Sequence, residues 1–184
     1  RCALKCEHCV EWDVLNRAEA LSAADLHEIA RRLQQRGVAQ FFFSGGEPLA
    51  RFADLLSLAA AASVEADVWM LTSGLGLTAD KARRLRAAGV TGLSLSLDHW
   101  ERSAHDRFRG QRGSFDAVER AAGHARDAGL LVALSLCPTR SFVTPENLDR
   151  YAERASEFGA SFIQLLEPKA VGHYAGQDVA LSSA

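Results

Sequence analysis

The sequence predicts an α/β fold, a curved parallel sheet with helices on its outer side, forming a partial (β/α)6-type barrel open on one side. Two observations carry this. Five short apolar runs alternate with stretches of helical periodicity, most of them closed by a glycine. Polar residues and glycines gather just after the apolar runs, the end of a parallel sheet where α/β folds place their ligands.

Taken in order, Ser22 with Asp25 forms a capping box, and Leu26, Ile29, Ala30 and Leu33 make the apolar face of the helix behind it. Gly37 closes that helix, and Val38 to Phe43 follows as a buried strand. Pro48 opens the next unit, with Phe52, Leu55, Leu56 and Ala59 at helical spacing, before a strand from Val68 to Thr72. Thr78 caps a helix running to Ala88, Gly89 ends it, and Leu93 to Leu97 is a strand terminated by Asp98. Trp100 to Arg112 reads as a polar loop. Ser114 then caps a helix closed by Gly129, and Leu130 to Leu136 is again a strand. Thr144-Pro145 starts the last helix, whose face is Leu148, Tyr151, Ala152, Ala155 and Phe158. Gly159 and the strand Phe162 to Leu166 complete the series. Strand–helix–strand crossovers are right-handed, so the sheet curls one way and its helices cover one side. A first strand is expected just before Arg1, because a cysteine loop in such a fold hangs from a strand end. The chain therefore reads as one core domain, residues 1–184, incomplete at its N-terminus.

The bulk numbers agree with a single domain and exclude several functions. With 184 residues and 48% hydrophobic content the chain can bury a core. Its 21 basic and 23 acidic residues give no general field for nucleic acid or an anionic membrane. No apolar run approaches the ~18 residues of a membrane span. Of the four cysteines, three crowd into the first nine residues, which suits metal binding in a reducing, cytoplasmic compartment better than a disulfide framework.

Those three, Cys2, Cys6 and Cys9, stand in a C-x3-C-x2-C run. Three thiolates are one short of filling a [4Fe–4S] cluster, and the iron left open can bind and activate a small molecule. The alternative is a structural zinc site, for which His8 or the distant Cys137 would have to supply the fourth ligand. Cys137 itself, at the end of an apolar strand, reads as a small core residue. Gly45-Gly46-Glu47-Pro48 follows the strand ending at Phe43. Alone it is a turn into a helix with proline at the first position; beside a cofactor, its glycines let backbone approach a ligand closely.

The cysteine run and Gly45-Gly46-Glu47-Pro48 are followed by Ser94-Leu95-Ser96-Leu97-Asp98. Next come His105 to Gly110 and then Gly113-Ser114-Phe115-Asp116. In this order the set resembles the radical S-adenosylmethionine enzymes, and in particular the SPASM branch, whose members carry a C-terminal extension for auxiliary clusters. The resemblance implies that Cys2, Cys6 and Cys9 ligate a [4Fe–4S] cluster whose open iron chelates the methionine moiety of S-adenosylmethionine. It implies that the backbone of His8 lies against the adenine and that Gly45, Gly46 and Glu47 hold the methionine amino group. Ser96 would contact the ribose, Arg109 the methionine carboxylate, and Leu166 the adenine. Where the family usually has Asn, this chain has Ser73. The implied activity is reductive cleavage of S-adenosylmethionine to a 5′-deoxyadenosyl radical that abstracts hydrogen from a peptide or small-molecule substrate. A low-potential donor such as a flavodoxin or ferredoxin would supply the electron. The strands are expected to wall the site with apolar side chains.

Around this set the readings are plainer. Asp98 either ends its strand or meets a ligand; His105 and Asp106 tie the loop structurally rather than act as a catalytic pair; Glu167 or Lys169 could touch substrate. Two other classes stay open, a non-catalytic iron–sulfur module for electron transfer or redox sensing and a zinc-stapled interaction domain. Neither needs a nucleoside pocket.

Overall fold

In the computed structural model, which describes residues 1–181, the apolar runs form five strands. These are β1 (Gln40–Phe43), β2 (Asp67–Thr72), β3 (Val90–Ser96), β4 (Leu131–Leu136) and β5 (Phe162–Leu165). They pair in parallel in the order β1-β2-β3-β4-β5. Parallel neighbours need a crossover, and helices supply each one. Helix α1 (Ala23–Gln34) precedes β1, and α2 (Phe52–Ala62), entered through a 3₁₀ turn at Pro48–Arg51, links β1 to β2. Helix α3 (Ala79–Ala87) links β2 to β3, α4 (Arg102–Arg109) and α5 (Ser114–Asp127) link β3 to β4, and α6 (Pro145–Glu157) links β4 to β5.

The caps expected for α1, α3 and α6 form. Ser22 Oγ accepts from Asp25 N at 3.2 Å while Asp25 Oδ2 accepts from Ser22 N at 2.8 Å. Thr78 and Thr144 accept from Lys81 N and Asn147 N, each at 3.2 Å. Each such bond satisfies an amide that the helix leaves orphaned, a contribution of about 1 kcal/mol.

Three local expectations are corrected. The stretch from Trp100 to Arg112 is not a loop but contains α4, capped by Glu101, which accepts from Ser103 N at 2.8 Å and Ala104 N at 2.7 Å. This helix hides from a hydrophobic-period search because its buried side chains are polar, His105 and Arg109. Ser114 does not cap α5; it is the first helical residue, and Gly113 (φ 81°) precedes it. The capping acceptor comes from α4 instead, where Asp106 receives Gly113 N, Ser114 Oγ and Phe115 N at 2.6–2.9 Å. Leu166 lies one residue beyond β5, although its N–H still donates to Leu136 O at 2.8 Å.

Alternation along the strands divides the sheet into two unlike faces. The outward set, including Val68, Met70, Leu93, Leu95, Val132 and Leu134, packs under the helices with Leu55, Leu85, Val118 and Tyr151 in one core. On the inner face, Trp69 of β2 meets Phe162 of β5 edge-on, with ring centroids 5.2 Å apart. Two strands separate them in the sheet order, so this contact exists only because the sheet is curled. Above this aromatic floor the inner face also carries hydroxyl side chains. They include Ser94, Ser96 and Ser135, with Ser135 Oγ donating to Ser96 Oγ at 3.4 Å.

Candidate functional site

At the C-terminal ends of the strands the curled sheet and the segment before α1 enclose a cavity of about 250 Å³. All ten cofactor and cluster positions implied by the resemblance line it: Cys2, Cys6 and Cys9, with His8, Gly45, Gly46, Glu47, Ser96, Arg109 and Leu166. Asp98, Cys137, Glu167 and Lys169 also line it, whereas His105 and Asp106 do not.

The cysteine segment forms no helix or strand of its own, and its shape comes from contacts at both ends and beneath. Asn16, in the left-handed region at φ 66°, binds the Cys2 backbone twice. Its Oδ1 accepts the Cys2 N–H and its Nδ2 donates to the Cys2 carbonyl, both at 2.9 Å. From below, the end of α4 supports the middle of the segment. Glu7 N donates to Phe108 O at 2.8 Å, and the His8 ring stacks on Phe108 at 5.0 Å. From the far end of the chain, His173 Nδ1 meets the Cys6 carbonyl at 2.7 Å, and Tyr174 Oη donates to Glu7 Oε1 at 2.9 Å. Asn16, His173 and Tyr174 were not legible as site residues, because each acts through tertiary contact with no motif around it; Phe108 sits within the His105 to Gly110 motif, but its contact with His8 carried no signal.

The three thiols are free, Cys6 buried and the other two half-buried. Burial, the dominant influence, pushes all three thiols above their ordinary value; the Arg109 charge pulls each of them down. Two donors already point at sulfur, Leu4 N at 3.4 Å from Cys2 Sγ and Arg109 Nη1 at 3.6 Å from Cys6 Sγ. Burial holds the His8 ring neutral, its pKa pushed down to about 4, and drives the Cys137 thiol up to about 12.

Glu47 is fixed by four donors. It accepts from Leu49 N at 3.1 Å, Thr72 Oγ1 at 2.6 Å, Ser73 N at 3.0 Å and Ser73 Oγ at 2.5 Å. Its own N–H donates to Arg1 O at 2.7 Å, so the strap after β1 is tied both to β2 and to the start of the cysteine segment. Gly46 must be glycine there: a Cβ would lie 2.5 Å from Arg1 O. Arg109 is buried, its Nη2 2.6 Å from Asp98 Oδ2 and its Nε without a partner. Asp98 thus neither merely ends β3 nor faces the cavity alone. Its Oδ1 accepts Cys137 N at 3.0 Å, and its N–H donates to His105 Nδ1 at 3.1 Å. Glu167 and Lys169 pair with each other at 2.5 Å on the cavity rim.

The curled parallel α/β sheet is thus a half-barrel with a thiol-lined cavity at its strand ends, where parallel α/β folds place their ligands. The family profile of the Radical SAM superfamily matches residues 1–159, and the chain belongs to that superfamily. It is 34% identical over 174 residues to a PqqA peptide cyclase from Streptomyces rochei, covering 94% of this chain and 47% of that protein. It is 32% identical to the mycofactocin maturase MftC of Mycolicibacterium smegmatis, over 93% of this chain and 43% of the relative. The chain therefore spans less than half the length of these curated relatives. Among solved structures, Streptococcus suis SuiB bound to its precursor peptide SuiA superposes with a TM-score of 0.80 at 20% identity, over 98% of this chain and 40% of SuiB. SuiB has also been solved with S-adenosylmethionine bound, and that structure superposes at 0.79. Among the described residues no helix is long and apolar enough to cross a membrane.

Proposed function

We propose that this chain is the core domain, residues 1–184, of a longer radical S-adenosylmethionine enzyme that acts in peptide or protein modification or in cofactor biosynthesis. The observation that carries the reading is the meeting of three free thiols with Glu47, Ser96 and Arg109 around one cavity.

The residues present fit an iron–sulfur cluster better than a single ion. Among the described residues no group of three His, Cys, Asp or Glu converges closely enough to hold one metal ion. Cys2, Cys6 and Cys9 instead stand around a cavity, and N–H donors lie beside two of their sulfurs, as suits anionic thiolates. When bound, the cluster would supply the electron that cleaves S-adenosylmethionine to a 5′-deoxyadenosyl radical for hydrogen abstraction. The protein's own work is holding and shielding. The strap Gly45–Glu47 presents backbone at the cavity edge, kept rigid by the Thr72 and Ser73 donors on Glu47. Ser96 offers a hydroxyl from the inner sheet face that would contact the ribose, and Arg109 a guanidinium suited to two-point recognition of a carboxylate. Leu166 and the backbone of His8 would border the adenine. The substrate class rests on the relatives, a peptide cyclase and a maturase. A low-potential donor such as a flavodoxin or ferredoxin is required, and three free thiols kept for a cluster call for a reducing, cytoplasmic setting.

The test is anaerobic reconstitution of the full-length protein with iron and sulfide, then dithionite reduction and EPR with and without S-adenosylmethionine. A [4Fe–4S]⁺ signal that changes with the ligand, together with 5′-deoxyadenosine, is the expected result. A signal indifferent to the ligand would leave an electron-transfer module, and a colourless protein retaining zinc would overturn the reading.

A further inference from the structure

Arg109 does more in this structure than wait for a carboxylate. Its guanidinium is buried, 7% exposed, and it is already engaged on two sides. Nη1 lies 3.6 Å from Cys6 Sγ and Nη2 lies 2.6 Å from Asp98 Oδ2. Asp98 is itself buried and cannot swing away. Its Oδ1 holds the Cys137 N–H, and its backbone N–H is held by His105 Nδ1. The helix that carries Arg109 is in turn bound to the cysteine segment through Glu7 N and Phe108 O. One cation and one anion are therefore fixed beside a single cysteine sulfur, both almost fully buried.

We propose that the Asp98–Arg109 pair sets the reduction potential of the cluster through Cys6, with Arg109 as the donor to that sulfur and Asp98 as the residue that positions and partly neutralises it. The inference rests on Cys2, Cys6 and Cys9 being the cluster ligands. The physical basis is the sign of the field. Reduction adds negative charge to the cluster and its thiolates, and hydrogen bonds and charges at those sulfurs tune its potential. A guanidinium beside Cys6 favours the electron and raises the potential; the carboxylate behind it works in the opposite direction. Burial keeps both effects from being screened.

The opposed signs make the test decisive. In the full-length protein, reconstituted anaerobically, the potential of the cluster couple is read by EPR-monitored redox titration for the wild type and for Arg109→Gln, Arg109→Lys and Asp98→Asn. Loss of the cation should move the midpoint to a more negative value, loss of the anion to a more positive one. Arg109→Lys, which keeps the charge, should stay nearer the wild type than Arg109→Gln. If Arg109→Gln binds no cluster, the positive shift of Asp98→Asn and a midpoint in Arg109→Lys nearer the wild type than that of Asp98→Asn still test the proposal. Midpoints that do not move, or that move in one direction for both residues, overturn the proposal and leave a purely structural ion pair. A wild-type protein that takes up no cluster at all overturns instead the assignment of the three cysteines.

Discussion

His105 has no exposed surface, and its two ring nitrogens have unequal fates. Nδ1 accepts the Asp98 N–H at 3.1 Å, which requires that nitrogen to be unprotonated, while Nε2 is buried without a partner. Burial, reinforced by the nearby Arg109 charge, lowers the pKa to about 4; Asp98 and Asp106 pull weakly the other way. In the unfolded chain the ring titrates near 6.5. Between those values the unfolded state binds a proton that the folded state refuses, so unfolding is favoured as pH falls. The contribution is fully present above about pH 6.5, shrinks steadily toward pH 4, and is worth about 3 kcal/mol over the window. Urea midpoints at pH 7 and pH 4.5 should therefore differ, and His105→Asn, whose Oδ1 can accept the same amide without titrating, should flatten the difference. An unchanged pH slope in that variant would place the acid sensitivity elsewhere.

Elements were legible wherever an apolar period or a cap marked them, and hidden where polar burial replaced it. Gly37, Gly89, Gly129 and Gly159 do end helices in the left-handed region, and the three side-chain caps form as the residue types require. Helix α4 escaped because its inward residues are His105 and Arg109. The ten cavity positions were implied by the family resemblance that the ordered motifs carry, yet the short 3₁₀ turn Gly172–Tyr174, which clasps the cysteine segment, carries no such signal. It works through contacts 167 residues apart in sequence, Tyr174 with Glu7 and His173 with Cys6. Gly172 is where this clasp comes nearest. At φ 58° it is in the region that favours glycine, and a Cβ would stand 2.0 Å from Cys9 O. Gly172→Ala must lift the turn off the segment that holds Cys6 and Cys9. We expect reconstituted Gly172→Ala protein to lose iron several-fold faster than wild type during desalting, measured as iron per chain. Tyr174→Phe removes a single hydrogen bond worth about 1 kcal/mol and should show a smaller loss. Equal retention in Gly172→Ala and wild type would mean the cysteine segment is held well enough by Asn16 and α4 alone.

The curl of the whole sheet depends on what its inner face can accommodate. Outward positions could be assigned from apolarity alone, but the inner face mixes Trp69, Phe162, serines and glycine, and no period in the sequence says how these meet. Gly92 shows the constraint. It sits beside Trp69 in the β2–β3 register, and a Cβ there would lie 2.5 Å from the Trp69 ring and 2.8 Å from Leu131 O. A methyl group at this point must push the indole away from Phe162 and strain the pairing with β4, and overpacking of this kind costs about 1–3 kcal/mol. Trimming the ring should relieve part of the clash, because the two side chains compete for one volume. Trp69→Leu alone should destabilise by leaving a void under the cavity, in the range of about 2–4 kcal/mol for loss of a large buried ring. The double variant Gly92→Ala, Trp69→Leu should then be more stable than the sum of its parts predicts, with a coupling of about 1 kcal/mol, the remainder persisting because Leu131 O does not move. Strict additivity in that cycle, read from urea denaturation, would show that Gly92 answers to the strand backbone alone and that the aromatic floor does not set the curvature on which the cavity above it depends.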